Sequence, residues 1–180
     1  MFNKIETLHD PVKDFRDSCG FALLAHMDGE KSHWLVQTTL ESLARLTHRG
    51  AVAADGKSGD GCGILLQFPE PFLREVADEH GFNLAERFAS GLVFFSPDKT
   101  LIERGKKILT QRLGRSALDV VGWREVPTCP EVVGEQALES MPAIYQVFVN
   151  APAGWRPHDI ERQLFAARRL AFEEEHQLPD

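Results

Sequence analysis

The pattern of apolar and polar positions in the first third of the chain predicts two core strands with a helix between them. Nearly continuous apolar runs over 20–26 and 64–68 are typical of strands that are covered on both faces. The segment between them predicts a helix that begins after Ser32, a suitable N-cap, and continues to about Thr47. Gly50 is the expected C-cap of this helix.

The rest of the chain predicts strands and helices in a mixed order. In the last expected helix, Ile160, Leu164, Ala167 and Leu170 fall at the spacing of a buried face. The segment 131–142 is expected to be mostly loop, with room for one helical turn. No linker or internal repeat divides the chain, so the pattern indicates an α+β fold with layered packing. The expected helices cover 71–80, 98–114 and 157–175, and the expected strands cover 89–95, 119–126 and 144–149.

Composition and charge restrict the classes of function. The 180 residues carry a formal net charge of −7, which argues against a general nucleic-acid binder. No apolar run is long enough to span a bilayer, and the polar segment 1–18 lacks the apolar core of a secretory signal. The three cysteines, Cys19, Cys62 and Cys129, have no paired spacing, which favours reduced thiols over a disulfide framework. We therefore expect a cytoplasmic protein with no nucleic-acid or membrane partner.

The segment from Asp55 to Gly63 is too rich in glycine to form regular structure. A phosphate-binding loop would need a glycine at the position of Ala51, and a calcium loop would need oxygen ligands at Lys57 and Gly59. The seven histidines have no metal-ligand spacing either. The favoured interpretation is a turn that lets the backbone pass close to a site.

Cys19 is the candidate nucleophile, because it lies between a polar leader, residues 1–18, and the first predicted strand. Removal of the leader would give this residue a free α-amine, with an unperturbed pKa of about 7.7–8.0, beside a thiol of about 8.5. The amine can then accept the thiol proton, so one residue supplies both nucleophile and base. The alternative for Cys19 is a packed core cysteine. Cys62 and Cys129 lack a basic partner, which favours a packing or bystander role for both.

Several motifs give the chain a family resemblance. Cys-Gly-Phe at 19–21 and Leu-Thr-His-Arg-Gly at 46–50 resemble the start of the class II glutamine amidotransferases, which are N-terminal-nucleophile hydrolases. Further similarity to the large subunits of bacterial glutamate synthases extends from about Asp17 to the C-terminal helix. It is carried by the stretches 25–33, 48–63, 121–127 and 148–157.

This resemblance implies an αββα four-layer sandwich, incomplete in this chain, with residues 19–180 as the N-terminal part of the amidotransferase domain. It implies that Cys19 hydrolyses the side-chain amide of glutamine and that Arg49 organises the pocket of the nucleophile. In the complete enzyme, the ammonia would reach 2-oxoglutarate at a second site that uses FMN, iron–sulfur clusters and NADPH or another electron donor. The implied partners are the rest of the large subunit and an electron-donating small subunit. None of these cofactors is expected to bind to the present segment.

Other site motifs of that family do not occur in the sequence. They are a His-Gln-Arg-Phe-Ser-Thr motif that binds the glutamine carboxylate, an Asn-Gly pair that forms the oxyanion hole, and an acidic residue for the substrate amine. Because loss of one oxyanion donor can cost about a hundredfold or more in rate, we expect the 180 residues alone to be inactive.

Two alternatives stay open. The first is a non-catalytic fragment or interaction module. The second is a glutaminase with another acceptor, as in the enzymes that make aminosugars, purine precursors or asparagine. Those enzymes usually begin with cysteine directly after the initiator methionine, so the leader and the glycine-rich segment weigh against them.

Overall fold

The structure, a computed structural model, describes residues 20–46, 50, 52–59 and 61–177. These residues form helices and strands in a mixed order, which confirms the predicted α+β class, with one turn of 3-10 helix at Pro130–Val132. The helices are α1 (His33–Arg45), α2 (Glu70–Glu79), α3 (Lys99–Arg115), α4 (Glu135–Glu139) and α5 (Pro157–Gln177), and the strands are β1 (Phe88–Phe95), β2 (Asp119–Glu125) and β3 (Ala143–Asn150).

The chain divides into two compact units. The first comprises 1–65 and 133–137, and the second comprises 66–132 and 138–180. None of the helices in the described part of the chain is both long enough and apolar enough to cross a bilayer.

The main element of the first unit is α1, which the sequence predicted correctly over its described length. The hydroxyl of Ser32 accepts a hydrogen bond from the amide of Leu35 at 3.3 Å, and so satisfies one of the free N–H groups of the first turn. At the other end, the amide of Leu46 donates to the carbonyl of Leu43 at 3.0 Å. This tighter bond ends the helix, so Leu46 is the C-cap and the prediction of Gly50 is wrong.

The two segments predicted as core strands, 20–26 and 64–68, have no regular secondary structure. Their side chains are exposed rather than buried: Phe21 is 93%, Leu23 89% and Leu65 99% accessible. A strand requires a neighbour that takes up its backbone hydrogen bonds, and neither segment pairs with another among the described residues. An apolar sequence indicates that a segment prefers burial, but it does not show that a pairing strand is present. Both strand predictions are therefore wrong.

The second unit is built on a three-stranded antiparallel sheet in the order β1-β3-β2. Phe88 lies opposite Asn150, and a bulge between Val120 and Gly122 shifts the register of β2 against β3. All three strands were predicted from the sequence to within one residue at each end.

The two faces of the sheet carry separate apolar clusters because alternate residues of β3 point to opposite sides. Val147 and Val149 pack with α3 and α5, through residues such as Leu113 and Ile160. Phe148, on the other face, packs with three residues of α2. The second unit therefore has a helix–sheet–helix arrangement, which confirms layered packing.

The buried face of α5 differs from its prediction at one position. Ile160 and Ala167 are buried and Leu164 packs against the same cluster, but Leu170 is 44% exposed. At 100° per residue, Ala171 returns to the angular position of Ile160, whereas Leu170 lies about 80° away from it. Leu170 therefore lies beside the stripe formed by Ile160, Leu164 and Ala167, and its assignment to the core is wrong.

Candidate active site

Both site residues predicted from the sequence lie outside the described residues. Cys19 directly precedes the first described residue, Gly20, and Arg49 falls between Leu46 and Gly50. The structure describes the chain that follows Cys19, from Gly20 to Leu46, together with Gly50 and residues 52–59 of the glycine-rich region.

The segment that follows Cys19 leads into a tight turn before α1. The amide of Gly29 donates to the carbonyl of His26 at 3.0 Å, and the amide of Asp28 donates to Nδ1 of the same histidine at 3.3 Å. Gly29 has φ of +71°, a conformation that glycine adopts without steric cost. The turn separates the segment after Cys19 from α1.

The glycine-rich segment forms a closed turn over residues 52–59, called here the 52–59 turn. Val52 and Gly59 form an isolated antiparallel bridge. Within it, the amide of Ala53 donates to the carbonyl of Ser58 at 2.7 Å, and the amide of Gly56 donates to the carbonyl of Ala53 at 3.0 Å. The segment is thus irregular, as predicted, but held by its own backbone hydrogen bonds.

The carboxylate of Asp55 is the centre of this turn. Its Oδ1 accepts hydrogen bonds from the amides of Lys57 at 2.9 Å and Ser58 at 2.7 Å. Its Oδ2 accepts from the Ser58 hydroxyl at 2.5 Å and from the amide of Gln136 at 3.3 Å. The Ser58 hydroxyl in turn accepts from the amide of Ala137 at 3.2 Å. The turn is therefore bonded to a segment about eighty positions later in the sequence.

These hydrogen bonds also stabilise the charged form of Asp55. The Ser58 hydroxyl, followed by the amides of Lys57 and Ser58, holds the pKa of the Asp55 carboxyl well below its usual range, and partial burial opposes the shift only weakly. The carboxylate therefore stays ionised at a more acidic pH than a free aspartate does. Because it already engages two backbone amides of the Gly56-Lys57-Ser58 sequence, these donors are not offered to a phosphate, which agrees with a structural turn.

Contact between the turn and residue 134 is close enough to require glycine. A Cβ at Gly134 would overlap the Ser58 hydroxyl and lie 2.6 Å from Oδ2 of Asp55. Sequence reasoning missed this contact. The Asp-x-x-Ser spacing predicts a local side-chain turn, but nothing in the sequence identifies residues 134–137 as its partner.

Cys62 and Cys129 are free thiols, and both are exposed. The packing role is therefore wrong for both, and the bystander role is the one that fits. Across the described ranges, no group of three His, Cys, Asp or Glu side chains lies close enough to hold a metal ion.

The chain belongs to the class II glutamine amidotransferase family, whose model matches residues 19–179. It is 35% identical over 157 residues to the chloroplastic ferredoxin-dependent glutamate synthase of Spinacia oleracea, covering 86% of this chain and 10% of that protein. It is 33% identical over 169 residues to the large chain of the NADPH glutamate synthase of Bacillus subtilis (strain 168), covering 93% of this chain and 11% of that protein. The chain thus spans about a tenth of the length of the curated relatives it matches.

Proposed function

We propose that this chain contributes the nucleophile of a glutaminase, Cys19, which acts after removal of residues 1–18. The observation that carries the proposal is the extent of the family match, which begins at residue 19 and continues to residue 179. Cys19 is the first residue of the match, at the position where a free α-amine would stand beside the thiol.

In the proposed reaction, the α-amine of Cys19 takes the thiol proton and the thiolate attacks the side-chain amide carbon of glutamine. The proton passes to the departing nitrogen, the carbon–nitrogen bond breaks, and ammonia leaves a thioester. Water then attacks the thioester with the amine as base, which releases glutamate and restores the thiol. Arg49 would organise the pocket by charge and hydrogen bonds, since its guanidinium stays ionised and offers five donors.

The wider assembly belongs to the same proposal. The domain would complete an αββα four-layer sandwich, and the complete enzyme would pass ammonia to 2-oxoglutarate for reductive glutamate synthesis in the cytoplasm. FMN and iron–sulfur clusters would be held by other regions of the large subunit. The names of the relatives give two electron donors, ferredoxin and NADPH, so an electron-donating small subunit is proposed only for the NADPH type.

The first test uses the natural gene product that contains this chain. Mass spectrometry of the active protein should find Cys19 at the mature N-terminus, and a glutamine-analogue alkylator should label Cys19 while sparing Cys62 and Cys129. Cys62→Ser is the matched control, because this exposed thiol has no role in the proposal. Active enzyme that retains Met1, or preferential labelling of either other thiol, would contradict the assignment.

A further inference from the structure

Within the first unit, side-chain hydrogen bonds join the 52–59 turn to residues 134–137. Asp55 and Ser58 together accept hydrogen bonds from two backbone amides of that segment, those of Gln136 and Ala137. Each of these amides lies in the first turn of α4, where helical N–H groups lack partners within the helix. The side chains therefore accept hydrogen bonds from two N–H groups of this first helical turn.

Two further observations indicate that this link is tightly packed. Ser58 is only 7% exposed, although serine is usually a surface residue. Gly134 has no space for a Cβ because the Ser58 hydroxyl and the Asp55 carboxylate occupy it. Movement of the turn away from residues 134–137 would therefore weaken several contacts at once.

The 52–59 turn is also close to Arg49 along the chain. Arg49 precedes Val52, the first residue of the turn, by three positions, so their Cα atoms are at most about 11 Å apart. Arg49 thus precedes, by three positions in the sequence, a turn that Asp55 and Ser58 bond to residues 134–137. A misplacement of about 1 Å at a substrate-positioning group can cost about a hundredfold in rate.

We propose that Asp55 and Ser58 are positioning residues of the glutaminase site: they fix the 52–59 turn against residues 134–137, and through it they fix the backbone that continues from Arg49. This inference rests on the proposed function, in which Arg49 belongs to the pocket of glutamine. It assigns the glycine-rich segment a role in substrate alignment instead of ligand binding.

The test compares two reagents for Cys19 in the natural gene product. Iodoacetamide needs only the thiolate, whereas a glutamine-analogue chloroketone must also be aligned by the pocket. Asp55→Asn replaces one accepting oxygen by a donating NH₂, which then faces other donors. We expect labelling by the chloroketone to slow about ten- to a hundredfold, while labelling by iodoacetamide changes by less than about twofold.

Asp28→Asn is the matched control, since it makes the same change of charge in an exposed turn of the same unit. It should leave both labelling rates unchanged. Ser58→Ala is the second variant, and it should act in the same direction as Asp55→Asn because it removes the acceptor of the Ala137 amide. Hydrogen exchange gives a measurement that does not depend on the labelling reaction. The amides of Gln136 and Ala137 should exchange faster in both variants.

The outcomes separate the two proposals. If the unaltered protein labels at Cys19 but Asp55→Asn labels as fast as the parent, the positioning role is overturned and the proposed function stands. Equal slowing with both reagents would indicate general loss of structure and would also overturn it. Failure of the unaltered protein to label at Cys19 would overturn the proposed function, and the inference with it.

Discussion

Gly122 shows how a single residue decides the packing of the sheet on the α2 side. A Cβ at this position would overlap the ring of Phe82, which is itself held against Phe148 with ring centroids 5.7 Å apart. Because Phe148 is fully buried, the Phe82 ring cannot retreat without disturbing the cluster around α2. Gly122 is therefore required by close approach and not by backbone conformation.

We predict that Gly122→Ala lowers the free energy of unfolding by about 1–3 kcal/mol, the usual cost of overpacking a core. The measurement is urea denaturation followed by circular dichroism. Gly91→Ala is the matched control: Gly91 is also a strand glycine, but no atom lies within 4 Å of a Cβ added there. Equal loss of stability in the two variants would show that the Phe82 contact is not the cause.

At the scale of elements, the start of α3 depends on a titratable cap. The carboxylate of Asp98 accepts hydrogen bonds from the amides of Thr100 at 2.7 Å and Leu101 at 3.1 Å. The amide of Leu101, followed by that of Thr100, holds the pKa of the Asp98 carboxyl below its usual value. A group with a depressed folded-state pKa stabilises the fold above its unfolded pKa, and the stabilisation is lost as the pH falls through the folded value.

Asp98→Ala should therefore lower the urea midpoint at pH 7, and the difference from the parent should shrink below about pH 4, the usual range of an aspartate. The measurement is the urea midpoint of both proteins across that range. Asp98→Asn is the control, because asparagine is also a good N-cap but does not titrate. A difference between parent and Asp98→Ala that stays constant down to acid pH would contradict the prediction.

Helix starts with local signals were predicted correctly from the sequence. The apolar pattern also located β1, β2 and β3, but it could not distinguish a paired segment from an unpaired one. Ser32 and Asp98 mark the starts of α1 and α3 because a cap acts within three residues. The segments 20–26 and 64–68 were assigned as strands from apolar composition alone, which cannot supply the neighbour that a strand needs. The contact of Asp55 with Gln136 was missed for the same reason, since it joins positions 81 residues apart.

At the scale of the whole molecule, the proposed site was reached by family resemblance and not by folding rules. Cys19 and Arg49 were identified from short motifs, and the family match over 19–179 supports the family that those motifs indicate. Composition and periodicity alone indicated a polar leader, a cysteine after it and an arginine after the first helix, but no reaction. In the proposal, the chemistry of the thiol depends on cleavage of the peptide bond before Cys19, and no pattern of apolar residues predicts such a cleavage.

The proposal that ammonia release and glutamate synthesis occur at two separate sites can be tested on the complete enzyme. If Cys19 acts only in releasing ammonia from glutamine, Cys19→Ser in the natural gene product should lower glutamine-dependent glutamate formation at least about a thousandfold. Synthesis from added ammonia and 2-oxoglutarate should stay near the parent rate, because that reaction is proposed to occur at a second site. Cys129→Ser, which changes an exposed thiol outside the proposed site, should leave both activities unchanged. Parallel loss of both activities in Cys19→Ser would mean that the residue supports the structure, and full glutamine-dependent activity would mean that the nucleophile lies elsewhere.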